Sequence, residues 1–244
     1  MKWLPPALVL AFGVFAAPVA LAMEKVDTEL VLAADGSGSI DDDELRLQRE
    51  GYANAITHPR FLSAIAGGYH QAIAIAFVEW GGPDSQHTIV DWMKIDGPAS
   101  AQAFAAKLLA TPRAAVSYNS ISEAIAYSLN LIETNAFDGR RKIIDVSGDG
   151  PQINGRPLPL IKALALASRV TINGLVISTP ESGSLSGPRG EALDEHYRND
   201  VIGGRGAFVM VAKGRQDFAR AVLKKMILEI ADRDWGAPSV IALD

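Results

Sequence analysis

Three short segments carry oxygen-bearing side chains at spacings that suit a hard divalent cation. The first lies in residues 30–39, LVLAADGSGS, where an apolar run ends in Asp35 and hydroxyls follow at Ser37 and Ser39. The run reads as a buried strand, a short apolar segment bounded by glycine. Gly36 and Gly38 then turn the chain, and acidic residues 41–44 open a helix whose N-terminal dipole they suit. One carboxylate and two alternate hydroxyls therefore fall at the carboxyl end of a strand, on a loop able to turn them inward. That is an oxygen-only set, suited to Mg²⁺, Mn²⁺ or Ca²⁺. The second segment, SYNSIS at 117–122, offers Ser117, Asn119 and Ser120, and the third, SGDG at 147–150, offers Asp149.

The elements that must position these groups alternate between apolar runs and helical spacings. Strands are expected at 28–34, 71–79, 87–94, 142–147, 170–177 and 207–212, and helices at 42–57, 99–110, 120–134, 158–169, 190–199 and 215–232. The short Gly-Gly-Pro-Asp link between the second and third strands predicts a hairpin, and so one antiparallel strand at a sheet edge. The expected fold class is α/β: a three-layer α/β/α doubly wound arrangement around a mostly parallel six-stranded sheet. In such sheets ligands sit beyond the carboxyl ends of the strands, where the strand order reverses. If the strands ending near Asp35 and Ser147 are neighbours there, both carboxylates face one crevice.

Asp-x-Ser-x-Ser after an apolar strand, a hydroxyl- and amide-bearing loop before a middle helix, and Asp-Gly after a later strand together resemble the von Willebrand factor type A (vWA) domain. The likeness spans roughly residues 26–232. It is nearer still to the DUF1194 group of exported bacterial proteins, in IDVSGDGPQ (144–152), SISEAI (120–125) and LDEHYRNDVIGGRGAF (193–208). The resemblance implies a metal-ion-dependent adhesion site. Ser37 and Ser39 would bind Mg²⁺ or a similar ion directly, and Asp35 and Asp149 would act mostly through waters or hydrogen bonds. Where the family's loop offers a threonine this chain has Asn119, whose amide oxygen can also ligate a hard cation; Ser117 or Ser120 would serve if the loop shifts. It further implies a protein partner that offers an acidic side chain to an open position on the metal.

Other readings are narrower. Gly-Ser-Gly-Ser alone is more often a capping turn than a site. An EF-hand fails, because its sixth position from Asp35 is Ile40 and its twelfth Arg46. A dinucleotide fingerprint fails at Asp41, where the third glycine belongs. His58, His70, His87 and His196 are scattered and read as surface or structural residues. Glu79 and Trp80 read as a strand-end charge and a partly buried aromatic. Asp145 is expected to pair with Arg140 or Arg141, or to cap a loop. With no histidine in the three loops, a metal-assisted hydrolase lacks an evident base, so a binding module is favoured over an enzyme. A metal-free scaffold is the third possibility.

The chain has no cysteine, which excludes disulfides, thiol catalysis and zinc–sulfur sites. The net charge of −5 and the lack of a basic run argue against nucleic acid. Lys2, an apolar core at 7–15 and Ala20-Leu21-Ala22 read as a cleavable export signal over residues 1–22. A single domain at 23–244 would follow, in the periplasm or outside the cell, with no membrane span in the mature chain. The loop at 179–190 is a candidate for partner selection, and 233–244 reads as a loosely held tail.

Overall fold

The computed structural model describes residues 22–38, 40–178, 186–231 and 239–241. The expected export signal, apart from Ala22, lies outside the described residues, as do Ser39 and most of the 179–190 loop. Among the described residues, no helix is long and apolar enough to cross a membrane.

The sheet is built on β1 (Glu24–Asp35), which pairs in parallel with β2 (Ile73–Trp80) on one side and β4 (Phe137–Gly148) on the other. β3 (Gln86–Ile95) runs antiparallel to β2 and forms one edge, as the hairpin link predicts. β5 (Val170–Ser178) and β6 (Phe208–Lys213) continue in parallel beyond β4. A three-residue strand, β7 (Ser239–Ile241), extends the sheet past β6, so part of the expected tail is paired. The order is β3-β2-β1-β4-β5-β6-β7. After β1 the chain moves outward through β2 and β3 and returns to the far side of β1 as β4. The β1–β4 boundary is therefore the place where the strand order reverses, and there the helices leave a crevice.

Side-chain alternation along β1 explains the layers, since successive strand residues point to opposite faces. Leu30 and Leu32 enter a core with Tyr52, Phe77, Phe104 and Phe218. This face is covered by α1 (Asp42–Thr57), α2 (Pro59–Ala66), α3 (Pro98–Ala110) and α7 (Gly214–Ile230). Val31 and Ala33 enter a second core with Trp80, Ile125, Ile144 and Tyr197. There the cover is α4 (Ile121–Thr134), α5 (Leu158–Ala167) and α6 (Leu193–His196), which runs into a π-helical segment, Tyr197–Val201. Both faces of β1 are thus buried, which is why its sequence is a nearly unbroken apolar run.

Helix starts follow local chemistry. Asp41 caps α1, accepting from Glu44 N at 2.7 Å, while Glu44 returns the bond to Asp41 N. α1 ends at His58 because Pro59 follows and begins α2 at its first turn. α2 was not expected from the sequence: eight residues are too few to show a repeating apolar period.

One core interaction corrects an expectation. Asp145, on β4, pairs with Lys225 of α7 rather than with Arg140 or Arg141. Lys225 is fully buried and also pairs with Glu229, which in turn accepts from Asn173 Nδ2 at 3.1 Å. Arg141 instead donates to carbonyls at the end of α7 and to Thr28. Burial pushes the Glu229 carboxyl up to about 7, and Asp145 adds to the rise while Lys225 opposes it. Lys225→Met leaves two buried acids without their cation and is expected to cost about 3–5 kcal/mol. Urea unfolding measures it; a loss below about 1 kcal/mol would mean that the lysine contributes nothing net at this crossing.

Candidate metal centre

Asp35 is the last residue of β1 and is completely buried. The loop beyond it is fixed through its backbone. Gly36 N donates to Trp80 O at 2.9 Å, and Ser37 N donates to Asp35 Oδ1 at 2.8 Å, a local turn that aspartate side chains favour. Gly38 N donates to Ser117 O at 2.9 Å, and Ile40 N closes on Ser37 O at 3.0 Å. Ser37 is buried beside Asp35.

The second loop, residues 111–120, is tied to its neighbours at several points. Gly82 N donates to Val116 O and Ser120 N donates to Gly81 O. Ser117 has φ +77°, in the left-handed region that few residues other than glycine adopt. Ser120 is turned away from the crevice, with its hydroxyl donating to Asn154 O at 2.6 Å. Asn119 is buried, and a Cβ added at Gly150 would collide with its amide nitrogen. Its carbonyl accepts from Ile153 N at 3.0 Å, so the second loop is joined to the third.

The third loop follows β4. Because β1 and β4 are paired with Ala34 opposite Ser147, Asp35 and Gly148 come next at the same level. A Cβ at Gly148 would lie 3.0 Å from Asp35 Oδ2, 2.8 Å from the Tyr197 hydroxyl and 3.1 Å from the Trp80 ring. Only glycine lets this strand end pass beneath the carboxylate. Asp149 follows, close enough to Asp35 to act on its titration. The structure therefore brings Asp35, Ser37, Asn119 and Asp149 to one rim; Ser39 falls outside the described residues.

The electrostatics of Asp35 set it apart. Burial raises its pKa from 3.8 to about 8, and the negative charge of Asp149 adds to the rise; hydrogen bonds from Ser37 oppose it. Among the described residues, no lysine or arginine is one of the groups that act on it, and its Oδ2 is buried without a hydrogen-bond donor. Four other buried acids are answered by donors or cations. Glu79 has Arg49, Asp145 and Glu229 share Lys225, and Glu29 accepts from Asn135 Nδ2 and Gly139 N, both at 2.7 Å. An oxygen-lined, anionic crevice with an orphaned carboxylate oxygen fits a hard divalent cation.

Residues 25–234 match the family model described as "Protein of unknown function (DUF1194)". The chain belongs to the DUF1194 family. No curated protein matches it in sequence. Its fold is that of vWA domains in solved structures. The pilus adhesin SpaC from Lactobacillus rhamnosus GG is 13% identical, with a TM-score of 0.60 over 86% of this chain and 31% of that one. A von Willebrand factor type A protein from Catenulispora acidiphila is 13% identical, with a TM-score of 0.56 over 84% and 43%. Proximal thread matrix protein 1 from the mussel byssus, with a zinc-occupied MIDAS motif, is 13% identical, with a TM-score of 0.57 over 84% and 46%. The DUF1194 chain thus spans less than half of each of these structures.

Several groups around the site take positions that the sequence did not assign to them. Trp80 is fully buried rather than partly so, with its indole N–H donating to Ala33 O at 3.0 Å. Tyr197 is buried beneath the carboxylates and donates to Gly150 O at 3.4 Å. Burial raises its pKa well above the ordinary phenol value, as do the charges of Asp35 and Asp149. His196 is buried, and Glu191 and Asp200 stand near it in a group with metal-ligand spacing. Its Nε2 accepts from Gln152 N at 3.3 Å, which puts the proton on Nδ1, and Nδ1 donates to Asp200 at 2.8 Å. In that tautomer neither nitrogen has a free lone pair for a metal. His196 instead braces the third loop, where Gln152 also accepts from Ser122 N.

Linkage gives a direct test of the carboxylate pair. Folded Asp35 keeps its proton up to about 8, whereas the unfolded side chain releases it near 3.8. The resulting stability is complete below 3.8 and lost as pH rises through about 8. In chelator, stability is expected to fall over that window, and Asp35→Asn should remove most of the fall. Glu229, which titrates at about 7, leaves a residual slope in both proteins. Millimolar Mg²⁺ should flatten the wild-type curve. Thermal melts across the window decide it; equal slopes in wild type and variant would exclude a protonated Asp35.

Proposed function

We propose that this protein binds a partner protein through a divalent cation held at the carboxyl rim of the sheet. The observation that carries the reading is the Asp35 carboxylate, buried beside Asp149 with no side-chain cation among the described residues to answer it. Ser37, Asn119 and Asp149 would hold the ion with Asp35, and Ser39 is the remaining hydroxyl of the sequence motif. Mg²⁺ is the ion of choice, with Mn²⁺ and Ca²⁺ sharing its preference for oxygen. When bound, the ion would supply an electrostatic anchor for an acidic side chain of the partner.

The surface around the rim supports a protein guest. Val116 and Tyr118 of the second loop are 61% and 71% exposed, and Ile153 of the third is 52% exposed. They flank Asn119 on backbone that is hydrogen-bonded on both sides, so their exposure is built in. Apolar side chains held in water beside a polar centre are a mark of interaction sites. The solved structures with this fold include a pilus adhesin and a byssus matrix protein with an occupied MIDAS motif. Those likenesses agree with an adhesive or assembly role, as does the export signal read from residues 1–22, which would place the protein in the periplasm or outside the cell.

Calorimetric titration of chelator-stripped protein with Mg²⁺ and Mn²⁺ tests the ion. Wild type is expected to bind one equivalent, and Asp35→Ala to weaken binding at least about 100-fold. Capture from envelope extract with and without EDTA tests the partner: Ser37→Ala and Tyr118→Ala should each deplete the EDTA-sensitive set. Identical sets in every arm would refute metal-bridged binding. We favour a binding module over a hydrolase; metal-dependent turnover of phosphoester or peptide substrates, lost in Asp35→Ala, would reverse that choice.

A further inference from the structure

Arg113 precedes Asn119 on the second loop, yet its guanidinium is spent on the first. Nη2 donates to the carbonyl oxygens of Gly36 (2.9 Å), Ser37 (2.9 Å) and Ile40 (2.8 Å). Nη1 donates to Asp42 Oδ1 at 2.9 Å, on the first turn of α1. One planar fork thus gathers the loop that leaves Asp35 and the helix that follows it. Arginine is suited to this because its five donors are fixed in a plane.

The backbone bonds of that loop show what the fork does. The amides of Gly36, Ser37, Gly38 and Ile40 bond to Trp80 O, Asp35 Oδ1, Ser117 O and Ser37 O. The carbonyls of Gly36, Ser37 and Ile40 converge on Arg113. Drawing these carbonyls to one side leaves the Ser37 amide on the Asp35 side, where it orients the carboxylate. Without the guanidinium, the carbonyls of Gly36 and Ile40 would lose the donor that meets them, and the loop would lose its tie to the second loop's side chains.

Arg113 is itself held in place. Glu79, at the end of β2, accepts from Arg49 Nε of α1 at 2.7 Å and from Ala114 N at 3.2 Å. Arg49 Nη2 donates to Pro112 O at 3.1 Å, and its Nη1 meets Thr111 O. The residues on either side of Arg113 are therefore pinned to a buried ion pair. Charge alone would argue against placing a guanidinium here, because it repels any cation bound in the adjacent loop.

We propose that Arg113 is a positioning residue that fixes the Asp35–Ser37 loop in its cation-binding geometry. The inference rests on the metal-binding reading above. It is tested by Mn²⁺ calorimetry on the full chain as wild type, Arg113→Lys and Arg113→Ala, together with amide hydrogen exchange on chelator-treated protein. Arg113→Ala is expected to weaken Mn²⁺ binding about 10–100-fold, and Arg113→Lys, which keeps the charge but not the fork, to fall between. Amides of Gly38 and Ile40 should exchange faster in Arg113→Ala, while those of β5 keep their wild-type protection. Mn²⁺ binding in Arg113→Ala as tight as wild type, or tighter, would overturn the proposal, because charge would then be all that the residue contributes. Unchanged exchange at Gly38 and Ile40 would overturn it independently. If wild type itself binds no Mn²⁺, the function proposed above fails, and the cation-positioning role fails with it; the exchange data then show only whether Arg113 holds the loop. Should Arg113→Ala not fold, Arg113→Lys carries both measurements.

Discussion

Asp35 and Asp149 meet out of water at the boundary between β1 and β4, and burial and mutual repulsion both oppose their ionising together. Such a pair is costly to keep. The fold nonetheless builds it with care. The central strand ends in one acid, the neighbouring strand runs past it as glycine, and the other acid follows. The β1–β4 register is the constraint on which this meeting depends. A slip of one residue would exchange the two faces of a strand whose sides feed two different cores, so the packing of both cores protects the geometry of the rim.

The same molecule shows how buried charge is managed where no ion is called for. Lys225 stands between Asp145 and Glu229, and Arg49 answers Glu79. Each such cation comes from a helix on the α1–α7 face and reaches an acid on a strand. The arrangement divides labour along the strands: acids within the sheet are matched by the chain itself, while the acid at the tip of β1 has no such match among the described residues, which is what the proposed cation would supply. That contrast, more than the presence of acidic residues, is what gives the rim its chemical character.

Much of this was legible in the sequence because it is local. The apolar run before Asp35, the glycines after it and the acidic start of α1 are contiguous, and the alternation of elements gave the fold class, within which the β1–β4 pairing brings Asp149 to Asp35. What could not be read depends on distance along the chain. Asp145 finds Lys225 eighty positions on, and nothing beside either residue announces it. Tyr197 and Arg113 act on loops far from their own segments. α2 escapes a sequence reading because eight residues span only about two turns, although Phe61 and Ile65 share one face and His58-Pro59 is a start signal. Trp80 was expected to be partly exposed because it ends a strand; the second core extends to that end and covers it.

The Trp80 ring and the Tyr197 hydroxyl close the underside of the carboxylate pair, leaving the rim as its wet side. An ion bound as proposed would enter and depart through the one opening that a docking protein would also occupy. A seated guest would lock the ion behind it, so release would follow a fixed sequence, guest first and ion second. Residence of the metal would then be set by the lifetime of the complex rather than by the intrinsic looseness of its oxygen ligands.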